Sequence, residues 1–184
     1  MSQINYKVKI VESLLKKANH IRGLAKELNT NQTTIARKVK ELYRENIVDF
    51  KVQGRNKVYF LKRTIEAFQF ILIVEHYKLL EILKKYPYLR RVFQEIKQDR
   101  RIKLAILFGS HARRTARKES DIDIFIETRD KGIKEKLQKI DSRLSIKIGR
   151  FDRKNLLIRE IEKNNVIIKG VELYYEKIGF FEKT

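Results

Sequence analysis

The sequence has no cysteine and no tryptophan, and only one proline and seven glycines among 184 residues. Without cysteine there is no disulfide framework, no thiolate zinc site and no thiol nucleophile, so any catalysis falls to carboxylates, hydroxyls, histidine or a bound metal. Long apolar runs are also missing: the most apolar stretch, residues 67–74, is far short of the roughly 20 residues that cross a bilayer. The opening MSQINYKVKI has neither the apolar core nor the cleavage site of a signal peptide, so a soluble cytoplasmic chain with no membrane partner is expected. The three histidines, His20, His76 and His111, are too widely spaced for a metal-ligand pattern, and His111 is expected in an exposed loop where it could touch phosphate.

Positive charge and apolar residues are abundant. Lys+Arg 43 against Asp+Glu 23 gives a net charge of +20, and 42% of the residues are hydrophobic. That is enough apolar material for one or two folded domains, and a cation of this size attracts a polyanion such as nucleic acid. Up to Arg63 there are 15 basic and 5 acidic residues, against 28 and 18 beyond it, so the first third is the denser cation. No repeat, low-complexity tract or Gly/Ser linker separates the parts. The helical pattern over 64–86, stopped by Pro87, is the expected connector. Its run Phe68, Phe70, Ile71, Leu72, Ile73, Val74 is apolar on more than one face, which calls for burial within the chain or between two copies in a homodimer.

In the first third, Ile10, Leu14 and Leu15 and then Ile21, Leu24, Ala25 and Leu28 recur at helical spacing. Asn29-Thr30-Asn31 supplies turn and capping chemistry. A third helix follows, with Ile35, Val39 and Leu42 inside and Thr33, Arg37, Lys40 and Arg44 outside. Val48, Phe50 and Val52, a turn at Gly54-Arg55-Asn56, then Val58 and Phe60 predict a hairpin. Over residues 4–63 this order resembles the winged helix-turn-helix family. The resemblance implies DNA as a partner, with Gln32, Thr33, Thr34, Arg37 and Lys38 near bases and phosphates and Arg55 and Lys57 on the hairpin wing. The plainer alternatives are a solvated basic face or a protein-binding winged helix.

The second part carries a more specific pattern. The apolar run from Ile102 ends at Gly109-Ser110, and ten residues later comes Asp121-Ile122-Asp123. On a strand, Ile122, Ile124 and Ile126 share one face and the two aspartates the other, about 7 Å apart, where they can converge on divalent cations. Gly109 lets a triphosphate approach the backbone, and Ser110 offers an N–H and a hydroxyl.

The segment GSHARRTARKESDID resembles the nucleotidyltransferase superfamily that includes polymerase beta, most closely its minimal archaeal and bacterial members. The resemblance spans residues 89–176. It implies a small mixed sheet with helices on one side, two Mg2+ ions held by Asp121 and Asp123 in an active site, and a nucleoside triphosphate substrate at Gly109, Ser110 and Arg113. The expected chain is thus α+β: a winged helix domain at 1–63, a helical connector at 64–87 and a nucleotidyltransferase domain at 88–184.

Relatives usually carry a third carboxylate on the neighbouring strand, expected over 144–149, and here Lys147 is expected to face the metal site instead. Asp152 and Glu127 are the nearest substitutes, and Lys147 could itself hold a phosphate. After that strand, 166–168 and 171–175 are expected as closing strands around Gly170.

Two functions remain open. One is transfer of a nucleoside monophosphate to a hydroxyl on a protein, an RNA or a small molecule. The other is a catalytically degenerate transferase fold acting as a DNA-binding regulator. The hybrid resembles the antitoxin role of minimal transferases, which modify a companion toxin.

Overall fold

The computed structural model describes residues 3–182, without the side chains of 3–5. The outermost residues of the expected domains, 1–2 and 183–184, lie outside the described residues. The chain divides into two compact units, the first ending at Val74 and the second spanning Glu75–Glu182. No helix among the described residues is long and apolar enough to cross a membrane.

The first unit runs α1 (Gln3–Lys16), β1 (Asn19–His20), α2 (Ile21–Glu27), α3 (Gln32–Arg44), β2 (Val48–Gln53) and β3 (Asn56–Leu61). Its helices meet through the apolar positions that set their spacing: Val11 and Leu14, Leu24 and Ala25, and Ile35, Val39 and Leu42 are all buried. Side chains fix where two of them start. His20 accepts from the Gly23 N–H at 2.8 Å, and Asn31 from the Thr34 N–H at 2.7 Å, satisfying donors that the first turn leaves free. Strand β3 is central in an antiparallel sheet of order β1-β3-β2. Two-residue β1 thus adds a short strand between α1 and α2.

Helix α4 (Ile65–Lys85) lies where the helical pattern over 64–86 predicts a helix, and the boundary between the units falls within it. Thr64 begins it, its hydroxyl accepting from the Ala67 N–H, and Pro87 follows its last backbone bond, from the Tyr86 N–H to the Ile82 carbonyl. Burial within the chain accounts for Ala67, Ile71 and Val74, whereas Ile73 is 52% exposed.

The second unit continues with α5 (Leu89–Gln98), β4 (Leu104–Leu107), α6 (Gly109–Ala112), β5 (Ile122–Glu127), α7 (Gly132–Gln138), β6 (Leu144–Ile148), α8 (Leu156–Lys163), β7 (Val166–Lys169) and α9 (Val171–Lys177). The sheet is mixed, in the order β6-β5-β4-β7, with β5 and β6 parallel and the other pairs antiparallel. One face buries Ala105, Leu107, Ile122, Ile124 and Ile126 in a core with Ile82, Leu89, Phe93 and Leu137 from the helices.

The other face is covered as well, which corrects the expectation of helices on one side. Leu104, Ile106 and Ile167 are buried there, and Phe125 meets Phe151, which meets Tyr174 of α9 at 5.5 Å between ring centroids. Helix α9 replaces the expected strand over 171–175. Val171, Tyr174 and Tyr175 are its buried residues, at helical spacing, and so short an apolar run reads either way in sequence. Gly170 starts it at φ +81°, and a Cβ there would lie 2.4 Å from the Lys103 carbonyl oxygen, so the chain turns directly against β4.

Asp99 fastens the end of β4 remote from Gly109. Its carboxylate accepts from Arg101 at 2.6 and 2.9 Å, and Arg101 also reaches Asp130 at 2.7 Å. The Arg101 hydrogen bonds hold the Asp99 carboxyl well below the usual carboxylate range, against the opposing effect of burial. A depressed folded-state pKa means that this stabilisation is complete above about pH 4, the unfolded value, and fades as pH falls below it. Asp99→Asn should lower the melting midpoint by a few degrees at pH 7, with the gap to wild type narrowing below about pH 4 in a melting series.

Candidate active site

Strand β4, buried throughout, delivers the chain to Phe108 and Gly109. Antiparallel pairing sets Leu107 opposite Ile124 and lets the Phe108 N–H donate to the Asp123 carbonyl at 3.0 Å. The chain then turns at Gly109, with φ +68°, into the single turn of α6. A Cβ on Gly109 would meet Asp123 Oδ2 at 2.3 Å, so the carboxylate lies over the bare Cα. Ser110 follows, half-buried.

Ile122, Ile124 and Ile126 point into the core, which turns Asp121 and Asp123 to the opposite side. Asp121 is exposed and Asp123 half-buried. The Asp123 carboxyl is pushed up chiefly by burial and further by the charge of Asp121, while a hydrogen bond from Ser145 opposes both. Neither acid appears in an ion pair among the described residues. Two neighbouring carboxylates without a cation suit a divalent ion completed by phosphate and water oxygens.

The parallel pairing of β5 and β6 corrects the expectation for Lys147. Asp123 is opposite Ser145, whereas Lys147 is opposite Phe125 and exposed. Serine, a neutral and weak ligand, therefore occupies the place beside Asp123. Neither expected substitute replaces it. Glu127 accepts from the Phe151 N–H and from Lys177, both at 3.2 Å, and pairs with Leu104 at the far end of β4. Asp152 is exposed and accepts from the Lys154 N–H at 2.9 Å. No cluster of three or more His, Cys, Asp or Glu side chains that could hold a metal occurs among the described residues. The donors fit one divalent ion and offer no third carboxylate for a second.

His111 is not in an exposed loop but fully buried. Nδ1 lies 3.1 Å from the Asp121 carbonyl oxygen and Nε2 2.8 Å from the Tyr88 hydroxyl. A carbonyl only accepts, so Nδ1 carries the proton and Nε2 of the neutral ring accepts from Tyr88. Burial lowers the pKa of the ring and keeps it neutral. Arg113 is exposed just after α6, and its charge reaches Glu160 of α8. No local pattern marks Ser145 or Tyr88 as neighbours of the site, since each reaches it only through a tertiary partner.

In the first unit, Gln32, Thr33, Arg55 and Lys57 line one groove of about 590 Å³, together with His20 and Arg22, which no sequence pattern marks for this place. Arg37 is exposed on α3, and Thr34 is half-buried. Lys38 departs from its expected place at nucleic acid. It is 1% exposed, and its ammonium donates to both oxygens of Glu41 at 2.9 Å, because its position on α3 turns inward beside Val39 and Leu42.

Residues 90–177 match the family described as Polymerase beta, Nucleotidyltransferase. The match supports placing this stretch in the polymerase beta superfamily, whose activity is nucleotidyl transfer. No curated protein matches the sequence.

Gly109→Ala should destabilise the second unit by about 1–3 kcal/mol, since it combines a left-handed φ with a Cβ placed against Asp123. Thermal melts compared with Gly54→Ala, which is also left-handed but has no atom within 4 Å of the added Cβ, isolate the steric part.

Proposed function

We propose that the second unit is a Mg2+-dependent nucleotidyltransferase, moving a nucleoside monophosphate from a nucleoside triphosphate to a hydroxyl. The observation that carries this reading is the seating of Asp123 against Gly109, beside an Asp121 with no ion-pair partner among the described residues. Asp121 and Asp123 hold the divalent ion, and the backbone at Gly109 with Ser110 receives the triphosphate tail. Arg113 balances its charge. The bound ion supplies neutralisation of the phosphate oxygens and of the leaving pyrophosphate. The acceptor hydroxyl gives up its proton to solvent as its oxygen bonds to the α-phosphorus, the bond to the bridging oxygen breaks, and pyrophosphate departs. The enclosing residues orient the tail so that attack and departure lie in line.

Incubation with labelled nucleoside triphosphates and Mg2+ tests this directly. Label should appear on an acceptor, be it the chain itself, RNA or a companion protein, and fall to background in Asp121→Asn and Asp123→Asn. Ser145→Asp, which sets a third acid beside Asp123, should raise transfer and bring bound Mn2+ from one ion towards two per chain. Label that persists in both Asn variants would overturn the proposal.

A second reading has its own support in Ser145. Without a third acid, the site can bind a nucleotide without transferring it, leaving a DNA-binding regulator. In either case we take the first unit as a winged helix that binds DNA through α3 and the β2–β3 hairpin. The groove that gathers Gln32, Thr33, Arg55 and Lys57 supports this. Duplex binding should weaken steeply with salt, and Arg37→Ala should reduce the slope by about 1, as expected for one lost phosphate contact. Lys38→Ala should leave the slope unchanged while lowering the melting midpoint, because its cation is spent on Glu41.

A further inference from the structure

The ten residues between Ser110 and Asp121 leave the sheet and return to it carrying Arg113, Arg114, Arg117 and Lys118. These four cations, set against a single acid, Glu119, repel one another, and the loop is held at its base. His111 at its start donates from Nδ1 to the Asp121 carbonyl at its end. Behind His111, the Tyr88 hydroxyl donates to Nε2, and the edge of the ring contacts Tyr86 at 5.0 Å between centroids. The Tyr88 ring is covered by the Arg143 guanidinium, 4.6 Å from its centroid. Arg143 grips Asp141 at 2.7 and 3.1 Å and donates to the Lys118 carbonyl at 2.8 Å, so the far side of the loop is held by the same assembly. Its own carbonyl accepts from the Ile122 N–H at 2.9 Å, next to Asp121.

Asp121 therefore sits at the mouth of β5 with its backbone fixed from two directions, although its carboxylate is exposed. We propose that His111 is a positioning residue, which sets the place of the Asp121 carboxylate by closing the loop at its base, with Tyr88 and Arg143 locking the imidazole. Its consequence for metal binding rests on the transferase reading, whereas the closure of the loop does not. An apolar filler of the same space could pack against Tyr86 but could not hold the Asp121 carbonyl.

Full-length His111→Leu, His111→Asn and Tyr88→Phe separate positioning from packing. Asparagine keeps an N–H near the place of Nδ1, and leucine keeps apolar volume. Two readouts apply: the rate of tryptic cleavage at 113–118 in the folded protein, and Mn2+ affinity measured by water-proton relaxation with a non-hydrolysable nucleoside triphosphate. His111→Leu should be cut faster and bind Mn2+ about 10- to 100-fold more weakly, the loss typical when a group that orients a ligand is removed. His111→Asn should stay closer to wild type on both readouts, even where its melting midpoint is the lower of the two. Tyr88→Phe should shift both in the direction of leucine. Wild-type cleavage and affinity in His111→Leu, with loss in His111→Asn, would overturn the proposal and leave His111 a packing residue. Should the wild type bind no Mn2+-nucleotide, the transferase reading falls. Cleavage then decides alone: faster cutting of leucine than asparagine supports the closure, and equal protection overturns it.

Discussion

The carboxylate of Asp123 rests on the Cα of Gly109, and the geometry of the second unit follows from that contact. It requires a residue without a side chain at the end of β4, a left-handed turn there, and an antiparallel β5 in the register that places Ile124 across from Leu107. The three isoleucines of β5 anchor that register from below, since a slip of one position would bury both acids and expose the core residues. The two acids and the core residues thus alternate along one stretch of chain. The half-burial of Asp123 follows from the same contact, and with it the raised pKa that a cation would relieve.

Much of this was legible in the sequence, because Gly-Ser and Asp-x-Asp lie at the ends of apolar runs and the strand period assigns each side chain to a face. The neighbour of Asp123 was not. Leu144 and Ile146 fix which residues of β6 point away from the core, but Ser145 and Lys147 are equivalent by that criterion, and only the pairing with β5 chooses between them. His111 is a similar case: nothing local distinguishes a loop histidine from one enclosed by Tyr86 and Tyr88, residues more than twenty positions earlier. Helix α9 was missed because five apolar-rich residues fit either period, and its direction is decided by the approach of Gly170 to β4.

In the first unit, helix positions and capping residues were legible, while the division of labour among cations was not. Lys38 lies between the inner and outer faces of α3, and its long stem lets the residue bury while its ammonium finds Glu41. Glu41 also approaches Lys7, at 3.3 Å, so a single acid answers two lysines from different helices. Such a pair, mostly removed from water, contributes geometry more reliably than stability. Arg55 and Lys57 of the hairpin share one groove with Arg22 of α2 and with Gln32 and Thr33 of α3, because β3 pairs with β1 and so brings the hairpin alongside the start of α2.

Lys147, set apart from Asp123 by the pairing of β5 and β6, takes on another meaning. Among the described residues, strand β6 pairs with β5 alone and forms an edge of the sheet. A bare strand border invites a stray chain to add itself by backbone pairing, and a lysine there discourages this because its ammonium would have to give up water. The residue that looked like an obstacle to chemistry is well placed to keep newly made copies of the protein from sticking to one another.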